Sequence, residues 1–229
     1  MKDTYLITGA NRGLGLELTR RLLADGHRVV ATCRHPGTAT ALAAAASEIE
    51  ALEILPLDVA SAESGERLSN TLANRPIDVL VNNAGIMHRH ETAGEVDYDA
   101  WMRTIEVNTL APFRLAHLLK PNLSATSRPR VVTVSSQMGS IERGGTGSVA
   151  YRSSKAAVNR AMRTLADEWS GDAFTIVVVH PGWVRTDMGG RNATLSAEES
   201  AADLAQLMAG LTLADNGRFL DHDGSDMPW

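Results

Sequence analysis

Cysteine is nearly absent: Cys33 is the single one in 229 residues, so no intrachain disulfide framework is available and a reducing compartment is expected. Basic residues are not in excess. The 22 Lys and Arg against 27 Asp and Glu leave a net charge of −5, without the basic footprint that nucleic-acid binding needs. No apolar run reaches the ~18 residues expected of a membrane span. The opening Met-Lys-Asp-Thr-Tyr-Leu-Ile enters a β-prone run at once, with no signal-peptide core or cleavage site. These absences predict a soluble cytoplasmic protein that engages neither nucleic acid nor membrane. Asn122 and Asn192 match the glycosylation pattern, but a cytoplasmic chain would not meet that machinery. No repeat or linker interrupts the chain, and its length fits one α/β domain over residues 1–229.

What is present is alternation. Thr4-Tyr-Leu-Ile-Thr8 reads as a strand, and residues 27–32 as a second. An alanine-rich stretch over 39–52 has good helix propensity and is followed by a third strand over 52–59. Residues 77–82 form an apolar run suited to a strand covered on both faces. A long helix is expected over 98–119, stopped near Pro121. Residues 130–135 and 174–180 read as further central strands with a helix between them. Ser196, followed three residues later by Glu199, opens a helix over 196–211 with a capping box, and 217–222 reads as a last short strand. The fold class is therefore α/β, a doubly wound Rossmann-like domain with helices on both faces of a parallel sheet of about seven strands.

Within that frame, Gly9-Ala-Asn-Arg-Gly13-Leu-Gly15 joins the first strand to a helix carrying Leu16, Leu18, Leu22 and Leu23. Glycines let the backbone approach a pyrophosphate, and the helix N-terminus supplies free N–H groups and partial positive charge. Far downstream, Tyr151 and Lys155 stand four residues apart and share one helix face. A nearby cation favours a phenolate, so Lys155 is expected to lower the Tyr151 pKa and make the phenol a proton donor and acceptor. Either feature alone is common. A glycine turn can be a structural connection, and a Tyr/Lys pair is usually solvated surface.

Together with Asn82-Asn-Ala-Gly85 and Ser135, in this order and across most of the chain, they resemble the short-chain dehydrogenase/reductase family. Ser136-Gln-Met-Gly-Ser-Ile141, Tyr151-Arg152 and the tail from Gly217 to Trp229 are similar to its carbonyl-reductase-like branch around C-factor and sniffer. The resemblance implies a cofactor-binding N-terminal half and a catalytic and substrate-binding C-terminal half. It assigns Gly9, Asn11, Arg12, Gly13, Leu14, Gly15, Arg34, Asp58, Val59, Asn82, Ala84, Gly85, Pro181, Gly182, Val184 and Thr186 to the dinucleotide, together with Tyr151 and Lys155. Thr32-Cys33-Arg34 offers no carboxylate for a ribose 2′-OH, so Arg34, with Arg12, points to a 2′-phosphate and hence NADP(H). An Asp58 helix cap is the competing structural reading.

The implied activity is carbonyl reduction or its reverse. Tyr151 would be general acid/base, Ser135 would hydrogen-bond the carbonyl oxygen, Lys155 would hold the ribose, and Asn108 would link to Lys155 through water. His88, Gln137, Met138, Ile141 and Trp183 are pocket candidates by position. The short polar stretch 188–197, with Gly189 and Gly190 as hinges, suggests an open pocket for small aldehydes or ketones. Two other functions are compatible with these motifs: an NADP(H)-binding regulatory protein, and an epimerase or dehydratase. The family implies a homodimer or homotetramer through the helices near 98–119 and 150–169. No metal site is expected. His88-Arg-His90 lacks partner spacing, and Asp221 to Asp226 lacks a full calcium-loop pattern, so the latter reads as a turn returning Met227-Pro-Trp229 to the body.

Overall fold

Short β-branched runs alternate with amphipathic stretches, and the computed structural model, which describes residues 2–48, 51–88 and 94–229, folds them into strands and helices in that order. Strand β1 (Thr4–Thr8) leads into α1 (Gly13–Ala24), and β2 (Arg28–Cys33) into α2 (Thr40–Glu48). Then come β3 (Leu52–Pro56), α3 (Ala62–Leu72) and β4 (Val79–Asn82). The expected long helix is one rod in three parts: α4 (Tyr98–Ile105), a π-helical turn (Glu106–Leu110) and α5 (Ala111–Leu118). Pro121 does more than stop it. It sits in the first turn of a short α6 (Lys120–Ser124), where a missing N–H costs nothing. The chain continues through β5 (Arg130–Val134), α7 (Val149–Glu168), β6 (Thr175–Val179), α8 (Ala197–Gly210) and β7 (Phe219–Leu220). The predicted capping box at Ser196 and Glu199 is formed.

All seven strands are parallel, in the order β3-β2-β1-β4-β5-β6-β7. Because successive strand residues face opposite sides, Tyr5 and Ile7 enter one core with Leu18, Leu22 and Leu204, whereas Leu6 enters the other with Leu115, Val158 and Leu165. Covered on both faces, β5 and β6 are buried along their whole lengths. The order reverses between β1 and β4, so a crevice for ligand opens beyond their carboxyl ends.

Two sequence expectations need adjustment. Strand β3 ends at Pro56 rather than Val59, because the Asp58 carboxylate accepts from the Ala60 amide and turns the chain. Asp58 is not the cap of α3; that is Ser61, whose hydroxyl accepts from the Ser64 amide. Asn122 is buried, with its amide bonded to the Ala73 and Arg75 carbonyls, so it serves structure and not glycosylation. The Asp221–Asp226 turn does return the tail: the Met227 amide bonds the Phe219 carbonyl, and Trp229 packs on the Phe219 ring. Among the described residues no helix is long and apolar enough to cross a membrane.

Candidate active site

The crevice is built around one hydroxyl. Thr8, at the end of β1, accepts from the backbone amides of both Asn83 and Ala84 at 3.0 Å, while the Asn83 side chain donates to the Thr8 and Gly9 carbonyls. This lattice locks the turn after β1 to the turn after β4 across the switch point. Gly9 and Gly13 have φ of +67° and +54°, and a Cβ on Gly15 would lie 2.5 Å from both the Gly9 carbonyl oxygen and the Asn83 amide nitrogen. No side chain caps α1, and no acidic residue occupies its first turn, so its free N–H groups face the loop. That is a fit for a diphosphate. Gly15→Ala should disrupt the turn, costing about 1–3 kcal/mol from overpacking and abolishing dinucleotide affinity. Thermal melting and NADPH fluorescence titration check the two effects.

Beyond the loop, Arg34 is exposed just past β2 and makes no hydrogen bond among the described residues. Cys33 points the other way, into the core, where burial pushes its thiol pKa up. Arg12 is exposed in the glycine turn, and its guanidinium meets the Asp187 carboxylate at 2.5 Å. Asp58 and Val59 lie half-buried beyond β3. The Asn82 side chain does not face the crevice; it is buried against Pro112 and Thr133, so only its backbone is available there.

The chemistry gathers on α7. Tyr151 and Lys155 are both buried, one turn apart, with the ammonium 5.7 Å from the phenol ring centroid. Lys155 donates to the Val134 carbonyl at 2.8 Å, and burial pulls its pKa down to about 8. The expected lowering of the Tyr151 pKa by Lys155 is not what this arrangement produces. Burial dominates and pushes the phenol up to about 12, opposed by a hydrogen bond with Ser136. At neutral pH Tyr151 is thus a protonated donor.

Ser136 is also the main correction to the predicted site. Ser135, the serine singled out from sequence, is turned away beneath the loop, its hydroxyl donating to Asn159 Oδ1 at 2.5 Å. Neighbouring residues on an extended backbone face opposite ways, so only one of the two serines can reach the phenol.

Asn108 sits in the π-helical turn, buried, where its amide exchanges hydrogen bonds with the Ile86 backbone and donates to Ser154 Oγ at 3.0 Å. A Cβ on Gly85 would lie 3.3 Å from Asn108 Oδ1 and 3.8 Å from Lys155 Nζ, so these three converge.

The segment after β6 folds back on itself. Thr186 is pinned by its hydroxyl, which accepts from the Gly189 amide, and Val184 pairs with Leu195. Trp183, half exposed, donates to the Gly189 carbonyl. A Cβ on Gly189 would fall 1.8 Å from the Val184 carbonyl oxygen, so this glycine is required by close packing in a closed turn. Pro181 and Gly182 lie half-buried at its start. A cavity of about 480 Å³ is lined by Arg185, Thr186, Asp187, Gly190 and Arg191.

Of the pocket candidates, Gln137, Ile141 and His88 are exposed and Met138 is half-buried; His90 lies outside the described residues. The glycine-rich loop behind them is held by Arg152, which donates to the Gly144 and Gly147 carbonyls. The sequence motifs include Asn83 and Ser136 without giving either a role of its own, and Asn159 and Asp187 stand outside them. Of these, Asn159 had a visible signal, its spacing of four from Lys155.

A family model described as short chain dehydrogenase matches residues 3–196. The C-signal protein of Myxococcus xanthus is 41% identical over 155 residues, covering 67% of this chain and 93% of that protein. A 1-hydroxy-2-glutathionyl-2-methyl-3-butene dehydrogenase of Rhodococcus is 34% identical over 99% of this chain and 100% of its own length. Among solved structures, carbonyl reductase Sniffer of Drosophila melanogaster superposes with a TM-score of 0.95 at 31% identity, and an NADPH-bound carbonyl reductase from chicken fatty liver with 0.94 at 31%, each covering 100% of both chains.

Proposed function

The chain belongs to the short-chain dehydrogenase family, and from that premise we propose that it is an NADPH-dependent oxidoreductase that interconverts small carbonyl compounds and alcohols. The observation that carries the proposal is buried Tyr151, one helical turn from buried Lys155, whose ammonium lies 5.7 Å from the phenol ring centroid. Bound NADPH would supply the hydride. The backbone of residues 9–15, the first turn of α1 and the 82–85 turn would hold the dinucleotide, with Asp58 and Val59 at its adenine end. The closed turn carrying Val184 and Thr186 would hold its nicotinamide end. Lys155 is placed to leave Val134 for a ribose hydroxyl.

Tyr151 would deliver its proton to the carbonyl oxygen, while the Ser136 hydroxyl stabilises charge developing there. Ser136 takes the role first expected of Ser135. Asn108 would hold the 85–86 backbone against Lys155. NADPH consumption against a panel of aldehydes, ketones, diones and quinones tests the activity. Consumption with at least one of them is expected; NADPH binding without any turnover would favour the regulatory reading.

Preference for the 2′-phosphate is proposed to rest on Arg34, with Arg12 as a second ligand. Exposed pairs such as Arg12–Asp187 contribute about 0–1 kcal/mol, so the bridge does not keep Arg12 from a phosphate. Arg34→Asp should weaken NADPH binding by about 10–100-fold and improve NADH binding, as measured by titration with both cofactors. Equal losses for both would remove Arg34 from this role. A homodimer or homotetramer through α4, α5 and α7 is part of the proposal, supported by exposed Tyr98 and Met102 on α4; a strict monomer in gel filtration would overturn it.

A further inference from the structure

Three residues of α7, one turn apart, each meet the segment that carries the two serines. Tyr151 lies near enough to the Ser136 hydroxyl for it to favour the phenolate, Lys155 donates to the Val134 carbonyl at 2.8 Å, and Asn159 Oδ1 accepts from the Ser135 hydroxyl at 2.5 Å. Asn159 makes a second contact: its amide donates to the Gly139 carbonyl at 3.4 Å, at the far end of the same turn. Between these points, the Gly139 amide bonds the Ser136 carbonyl, and the Met138 amide bonds the Ser136 hydroxyl. The turn lies directly on the helix, since a Cβ on Gly139 would fall 2.7 Å from the Lys155 carbonyl carbon. Asn159 is buried, and its side-chain hydrogen bonds go to this segment.

We propose that Asn159 is a positioning residue, which fixes the distance between the Ser136 hydroxyl and the Tyr151 phenol by clamping both flanks of Ser136, at Ser135 and at Gly139. The inference rests on the proposed oxidoreductase activity for its catalytic consequence but not for its geometry. In the proposed reaction the Ser136 hydroxyl and the Tyr151 phenol meet one carbonyl oxygen, and reacting groups displaced by about 1 Å can lose 100-fold in rate. Without the clamp, the Lys155 bond to Val134 and the Ser135 amide bond to Val179 would still hold the strand end, but the turn beyond it would keep only its internal hydrogen bonds, while Tyr151 would keep its place on the helix.

The test uses Asn159→Ala, Ser135→Ala and the double variant, with two readouts. In turnover, each single variant should lower kcat by about tenfold or more, with KM and NADPH affinity within about twofold. The double variant should be no worse than the more impaired single one, because both act through one contact. Independently of turnover, the chain has only 3 tyrosines, so ¹³Cζ-tyrosine NMR resolves each ring. Asn159→Ala should shift the Tyr151 resonance and leave those of Tyr5 and Tyr98 in place. An unshifted Tyr151 resonance in a folded variant, or additive losses in the double variant, would overturn the clamp. Absence of carbonyl turnover in the unaltered protein would instead remove the oxidoreductase reading, and the resonance would still decide the clamp.

Discussion

Tyr151→Phe should lower kcat for carbonyl reduction by about 10²–10⁴-fold while leaving NADPH binding intact. The expectation follows from burial. The ring is only 7% exposed, so phenylalanine refills nearly the same volume, and what is lost is the proton and the hydrogen bond with Ser136. The direction of the pKa shift adds a signature. With the phenol pushed up to about 12, the proton needed for reduction is present throughout the neutral range and is lost only as pH rises toward that value. Alcohol oxidation needs the phenolate, so its rate should climb steadily with pH over the range where reduction stays flat. Parallel pH profiles in the two directions check this. A Tyr151→Phe variant that retained most of its kcat would place the proton donor elsewhere.

The second large effect separates two adjacent serines. Ser136→Ala removes the hydroxyl proposed to meet the carbonyl oxygen beside Tyr151, and loss of one donor to a developing oxyanion costs about 10²–10³ in kcat. Ser135→Ala removes a hydroxyl bonded to Asn159 beneath the loop, and its effect should be about tenfold, through positioning alone. Steady-state kinetics of both variants on one substrate gives the ratio. The reverse ranking would restore Ser135 to the role that the motif first suggested.

Why the sequence pointed to Ser135, whose hydroxyl the fold turns toward Asn159, is physical. The motif locates the end of β5, but which of two consecutive side chains faces the phenol depends on where the strand stops and how the next turn leaves it. Here Ser135 still pairs with β6 through its amide and the Val179 carbonyl, whereas Ser136 begins the turn over α7. Features with a strong local period were readable. The glycine turn, the parallel sheet, the Tyr151 helix and the Ser196 capping box all follow from patterns spanning a few residues.

Contacts across long separations were not. Arg12 and Asp187 meet over 175 residues, and the Thr8 hydroxyl organises a turn 75 residues away; neither partner carries a mark in its own neighbourhood. Lys155 was expected to act on Tyr151 because of spacing alone. Spacing brings them onto one face, but burial, opposed by Ser136 and not by the cation, sets the phenol's resting state. Arg152 shows the opposite case. Its place beside Tyr151 was readable as a branch likeness, while its work, holding the glycine-rich loop, became visible only in the fold.

The most direct test of the central claim follows the hydride itself. NADPH carrying deuterium at the transferable position would be incubated with the protein and a carbonyl compound that it consumes, and the product analysed by mass spectrometry. The account predicts an alcohol with one deuterium on the former carbonyl carbon, formed by the unaltered protein and nearly lost with Tyr151→Phe. NADPH that binds yet delivers deuterium to no aldehyde, ketone, dione or quinone, or that delivers it equally well to the Tyr151→Phe protein, would contradict it.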